Sequence, residues 1–200
     1  MASGPTTLTR ERILSAAEEV IRRFGPGKAT VVDVARALGV SHAAVYQHVA
    51  SKAELRQLVV SGWIEATMTP LRAIAAGSGP APQRLRRLFD TLSATKRRRA
   101  AEDPELFAAY RTLAGDSQAV RNAHVDELVA LAAAIIRAGV KEGTFRKVDP
   151  IAAGRAVLWA TARFHHPVHA GEWGRAGLHA EYDEVWKLLM EGLRAPKRAR

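Results

Sequence analysis

The chain has 200 residues, 48% of them hydrophobic and 25% charged, with no cysteine and a formal net charge of +10 at pH 7. These proportions describe a folded chain with a sizeable core, and they exclude disulfides and thiolate metal sites. No apolar run is long enough to span a membrane and no charged-then-apolar leader opens the chain, so a cytoplasmic location without membrane partners is expected.

Met1 to Thr7 is small and polar and reads as an arm outside the core. A first helix follows Leu8. Ile13, Leu14, Ala17, Val20, Ile21 and Phe24 recur at helical spacing and give it one apolar stripe, and Gly25-Pro26-Gly27 ends it. Thr30 and Asp33 form a capping-box pattern at the start of a second, short helix with Val31, Val34, Ala35 and Leu38 on one face. Gly39 stops that helix and Val40 is expected to plug the turn. Ser41 caps a third helix, from His42 to about His48, and Ser51 with Glu54 caps a fourth.

Two short helices joined by a glycine turn make a helix-turn-helix. The second of the pair would bury Val45 and present His42, Ala43, Tyr46, Gln47 and His48. An aromatic, an amide and two imidazoles can reach bases or phosphates, and the small Ala43 and Ala44 allow close approach to DNA. Basic residues are concentrated elsewhere as well. Residues 82–101 carry seven Lys or Arg against Asp90 alone, including the run Lys96-Arg97-Arg98-Arg99, and the tail adds Lys197, Arg198 and Arg200. Four consecutive cations go round a helix, so this run is expected to be mostly solvated at a helix C-terminus; whether it touches DNA is left open.

A long helix should run from Lys52 to about Ala76, with Pro70 as a possible kink, before the break Gly77–Pro82. Further helices are expected from Pro82 to Ala101, from Asp103-Pro104 to near Gly115, from Ser117 to about Lys141, from Asp149-Pro150 through Phe164, and from Ala180 to Arg194. Gly139 and Gly143 are expected to loosen the end of the helix before Thr144. The loop HHPVHAGEWGRAG separates the last two helices. The fold class is all-α with about nine helices.

The segments TRERILSAAEEVIRRFG, TVVDVARALGVS and AVYQHVASKAEL resemble the TetR family of bacterial repressors, with Tyr46, His48, Ser51-Lys52 and Leu55 on the family pattern. Val45, Val49 and Ala53 depart from it, and Val49 leaves less apolar bulk beneath the recognition helix. The resemblance covers the first quarter to third of the chain. It implies a three-helix DNA-binding domain at residues 8–52 and a ligand-binding and dimerisation domain at 53–195. It further implies a homodimeric regulator of transcription, a repressor of an inverted-repeat operator released by a small-molecule effector. Thr30, Ser41, His42, Ala43, Ala44, Tyr46, Gln47, His48 and Lys52 are the expected contacts to double-stranded DNA. Trp63, Phe89, Phe107, Tyr110, Trp159, Phe164, His165 and His166 are candidates for lining the effector pocket. Val157, Leu158, Ala162, Val185, Leu189 and Leu193 are candidates for the dimer interface.

Two other readings are carried forward. One is a metal-dependent helical enzyme using His165, His166 and His169, although no HExxH spacing accompanies them and no nucleophile motif or phosphate-cradling loop occurs in the chain. The other is an architectural DNA binder that answers to no ligand. No cofactor and no metal are expected.

Overall fold

The structure is a computed structural model, and it describes residues 7–115 and 118–196. Most of the N-terminal arm, Ser117 at the start of an expected helix, and the tail cations Lys197, Arg198 and Arg200 lie outside the described residues. The fold is all-α. Nine α-helices are described: α1 Arg10–Phe24, α2 Val31–Leu38, α3 His42–Tyr46, α4 Lys52–Ala76, α5 Ala81–Glu102, α6 Pro104–Gly115, α7 Gln118–Lys141, α8 Pro150–Ala160 and α9 Leu178–Leu193. Among the described residues the only β feature is an isolated bridge between Phe145 and Arg194. No helix among them is long and apolar enough to cross a membrane.

The chain divides into two compact units. The first is Met1–Glu65 with Asp103–Gln118, and the second is Ala66–Glu102 with Ala119–Arg200. The long helix α4 and the α5–α6 and α6–α7 junctions therefore carry the unit boundaries.

In the first unit, α1 buries Ile13, Ala17, Val20 and Ile21, but Phe24 is 45% exposed beneath the Arg23 guanidinium. It stands at the last position of the helix, next to the Gly25 turn, and the buried part of the stripe ends at Ile21. Helix α6 packs against α1. The Asp103 carboxylate caps α6 by accepting from the Leu106 N–H, and it also pairs with Arg22 of α1 at 2.7 Å. Trp63 stacks on Tyr110 at 4.9 Å and lies 5.7 Å from Phe107, so the aromatic side chains of α4 and α6 form one core cluster.

In the second unit, α8 stops at Ala160 rather than continuing through Phe164, which lies in a 3-10 turn, Ala162–Phe164. The Thr161 hydroxyl donates to the Val157 carbonyl at 2.8 Å as the helix ends. The following loop contains a second 3-10 turn, Pro167–Glu172, held by Arg163, which pairs with both Glu172 and Glu181.

Gly139 does not loosen α7. It is buried, and a Cβ placed there would meet the Phe145 ring at 2.2 Å and the Ala81 Cβ at 2.9 Å. The missing side chain is what lets Phe145 fold back onto the helix. Ala is the better helix former by about 1 kcal/mol, whereas overpacking a closed core costs about 1–3 kcal/mol. Gly139→Ala should therefore lower stability, by up to about 2 kcal/mol. Urea unfolding of the variant beside wild type measures it, and an unchanged or raised midpoint would mean that the Phe145 packing is loose.

Candidate nucleic-acid interface

The turn between α2 and α3 is built by capping. The Thr30 side-chain oxygen accepts from the Asp33 N–H, and the Asp33 carboxylate accepts from both the Thr30 N–H and the Thr30 hydroxyl. That hydroxyl bond is the main cause holding the Asp33 carboxyl below its ordinary pKa. At the other end Gly39 adopts φ +66, in the left-handed region. The Gly39 and Val40 N–H groups both donate back to the Ala35 carbonyl, closing the helix. Val40 is half-buried, not a sealed plug, because this closure points it to the side of the turn.

Ser41 then caps α3 by accepting from the Ala44 N–H at 3.2 Å. The regular helix ends at Tyr46, two residues before the expected His48, but the His48 and Val49 N–H groups still donate to Val45. Val45 and Val49 are both fully buried. Val49 thus supports α3 from below with the smaller side chain. Ser51 accepts from the Glu54 N–H, while the Glu54 carboxylate reaches past Ser51 to the Ala50 N–H at 2.8 Å.

These caps leave one side of α3 outward. Ser41, His42, Ala43, Tyr46 and Gln47 are exposed, and Ala44 and His48 are half-buried. Tyr46 is one of the few large apolar side chains left in the open, at 48%. Thr30 and Lys52 are half-buried. The Thr30 hydroxyl proton goes to Asp33, so this side chain is an acceptor used in capping. Lys52 Nζ donates to the Gly27 carbonyl at 2.5 Å, which ties the start of α4 to the loop after α1 and leaves the ammonium two further donors.

Two family models match the chain. One, described as bacterial regulatory proteins of the tetR family, covers residues 13–59. The other, described as the tetracyclin repressor-like C-terminal domain, covers residues 81–186, more than half of the chain. The chain belongs to the TetR family. As a TetR-family regulator it is a DNA-binding protein with a helical effector-binding domain. Among solved structures it is similar to SmeT, the repressor of the Stenotrophomonas maltophilia multidrug efflux pump SmeDEF. The TM-score is 0.67 and the identity 20%, over 96% of this chain and 93% of that one. It is also similar to a TetR/AcrR-family transcriptional regulator from Thermobifida fusca, at TM-score 0.64 and 23% identity over 92% and 97% of the two chains. A SmeT–triclosan complex matches at TM-score 0.65 and 18% identity, over 94% of this chain and 92% of that one. No curated protein matches.

In this TetR-family fold the other expected site residues fall in several settings. The aromatic candidates for an effector pocket are shared between the two units. Trp63, Phe107 and Tyr110 form the core cluster of the first unit, while Phe89, Phe164 and His165 are buried in the second. Trp159 of α8 is 53% exposed, and His166, between the two 3-10 turns, is also exposed. Helical spacing shows that such residues share faces, but it does not show which faces meet. The candidate interface residues also differ in exposure. Val157, Leu158 and Leu193 are buried in the chain's own core, while Ala162, Val185 and Leu189 are half-buried. The apolar side chains that α8 and α9 leave in the open are Ile151, Trp159 and Leu188.

His165, His166 and His169 form no metal site: among the described residues no group of three or more His, Asp or Glu could hold an ion. His165 is buried and its Nε2 lies 3.3 Å from the Thr161 hydroxyl. His166 accepts from the Val168 N–H, and His169 lies beside Glu172. Each has a local structural partner.

The basic run is corrected too. Arg98 is exposed, but Lys96 is buried, only 4% exposed. Phe89, Leu92 and Lys96 follow one another at i, i+3 and i+7, which places Lys96 on the buried face of α5.

If the caps hold α3, their loss should show locally. Ser41→Ala should cost about 1 kcal/mol and speed amide exchange at Ala44 and Val45 while leaving α7 protected. Hydrogen exchange reads this directly, and uniform loss of protection across the chain would contradict it.

Proposed function

We propose that this protein is a homodimeric repressor that reads an inverted-repeat operator with α3 and leaves it when a small molecule occupies the second unit. The observation that carries the reading is the outward face of α3, His42, Ala43, Tyr46 and Gln47, on a helix fixed from below by Val45 and Val49. A five-residue helix reads only a few base pairs, so a two-fold partner is needed to lengthen the site. The two recognition helices should enter successive major grooves roughly 34–36 Å apart. His42, Ala43, Ala44, Tyr46, Gln47 and His48 would approach the bases, and Lys52, Ser41 and the backbone at Thr30 the phosphates.

The partner is a second copy held through Ile151 and Trp159 of α8 and Leu188 of α9, which leave apolar surface in the open on the two helices before and after the histidine loop. An isologous contact between these faces closes on itself. The effector reading is supported by the C-terminal family match and by the SmeT–triclosan complex among the structural relatives. Helix α4, which begins at Lys52 beside the helix-turn-helix and continues into the second unit, is the continuous element that would transmit occupancy. Release requires the effector to favour the non-DNA state by about 1–3 kcal/mol.

Fluorescence anisotropy with operator fragments recovered from genomic DNA tests the groove assignment. Tyr46→Ala should weaken specific binding by tenfold or more with an unchanged melting temperature. Lys52→Ala should weaken binding to all sequences alike and lower the salt slope by about one unit. Wild-type affinity in both variants would remove α3 from the groove.

Leu188 is 69% exposed within one chain, so Leu188→Glu should not disturb the monomer fold. It should split the dimer, because it sets an unpaired charge in the shared apolar face. Light scattering should show a dimer for wild type and a monomer for the variant, with weaker operator binding. A monomeric wild type, or a variant that stays dimeric, would eliminate this interface.

A further inference from the structure

One group in the second unit is unexplained by packing or by DNA binding. Lys96 is buried on the core side of α5, and among the described residues no carboxylate lies against it. A lone buried ammonium is costly unless it is paired. Two other polar groups of the same unit lack hydrogen-bond partners. The Ser93 hydroxyl, one turn earlier on the same face, is fully buried without a hydrogen bond, and both ring nitrogens of His124 on α7 are buried without one. His165 closes the group from the chain following α8, its ring centroid 6.2 Å from that of Phe89. The charge of Lys96 is felt at His124, His165 and His166 alike, which places the four groups in one neighbourhood.

The chemistry of this cluster is one-sided. Lys96 offers three donors, Ser93 one, and a neutral His124 one, with no anion to receive them. Burial lowers the Lys96 pKa to about 8, which still leaves it mostly protonated at pH 7, and takes His124 down to about 3, so the imidazole is neutral. The face continues from Lys96 into fully buried Leu92 and Phe89. A metal ion does not suit a cationic group without carboxylates, and no metal-holding group of His, Asp or Glu exists among the described residues.

We infer that Lys96, Ser93 and His124 form the head-group site for a small organic carboxylate, whose apolar body lies along Leu92 and Phe89. The ammonium pairs with the carboxylate, and the Ser93 O–H and His124 N–H donate to its oxygens. This assignment rests on the proposed effector reading for its regulatory meaning, but not for binding itself.

The test uses the full-length protein with benzoate and octanoate as probes, and benzamide and octanamide as their neutral counterparts. Calorimetric titration and thermal shift should show at least one carboxylate binding, with its amide at least tenfold weaker. Lys96→Met, of similar length and no charge, should reduce carboxylate affinity at least tenfold, and Lys96→Gln serves if the methionine variant does not give a helical, cooperatively melting protein. Arg98→Gln, which alters an exposed cation two residues on, should bind like wild type. The assignment is overturned if neither carboxylate binds, if the amides bind as well as the acids, if both Lys96 variants retain wild-type affinity, or if Arg98→Gln loses as much as they do. Operator binding is then measured with and without the bound carboxylate. Carboxylate binding through Lys96 that leaves operator affinity unchanged would uphold this site and refute the effector coupling. Release by a compound indifferent to Lys96 substitution, with no carboxylate bound, would do the reverse.

Discussion

A helix of five residues has no stability of its own, since one hydrogen-bonded turn does not repay the cost of nucleating it. Everything proposed for DNA recognition depends on how α3 is nevertheless held. Two side-chain caps, Thr30 with Asp33 and Ser41 on Ala44, contribute about 1 kcal/mol each, and the Gly39 turn joins the helices they start. Val45 and Val49 then anchor α3 from beneath, each fully buried. What results is a short rigid ridge whose outward residues are set by the inward ones: once Val45 points in, Tyr46 and Gln47 must point out.

The second unit follows a different logic. Its helices are long, and their stability comes from packing rather than from caps. Small residues decide how closely elements approach. Gly154 on α8 comes so near α7 that a Cβ would sit 3.1 Å from the Val129 carbonyl oxygen, and Gly139 makes room for Phe145. In such a close-packed interior, leaving a serine and an imidazole without partners runs against the usual satisfaction of buried polar groups. That is why the face of α5 around Lys96 reads as binding chemistry and not as surface charge. Arg86, by contrast, is fully engaged, lying over the rings of Tyr182 and Trp186 and pairing with Asp90 and Asp183.

Much of this was legible in the residues. The helix starts at Thr30, Ser41, Ser51, Asp103 and Asp149 lie close to where capping chemistry puts them, because a cap is a contact between residues two to four apart. Helix α4 runs from Lys52 to Ala76 as the apolar pattern suggests. The family pattern of the first segments agrees with the family model that matches residues 13–59. The exceptions have a common cause. Phe24 and Lys96 each sit in a setting that depends on neighbours distant in sequence, which composition alone does not state. A run of four cations looks solvated until the heptad spacing from Phe89 is followed through it.

The sequence by itself therefore determined the local structure: which segments are helical, where they are capped, and which residues of the helix-turn-helix share its outer face. Those properties depend on contacts within a turn or two, and the 3.6-residue period states them directly. Only the tertiary structure decided which aromatic residues meet, which apolar positions of α8 and α9 remain exposed, and that Lys96 is buried in the same unit as Ser93, His124 and His165. Periodicity assigns a residue to a face; what that face meets depends on the packing of helices far apart in the chain.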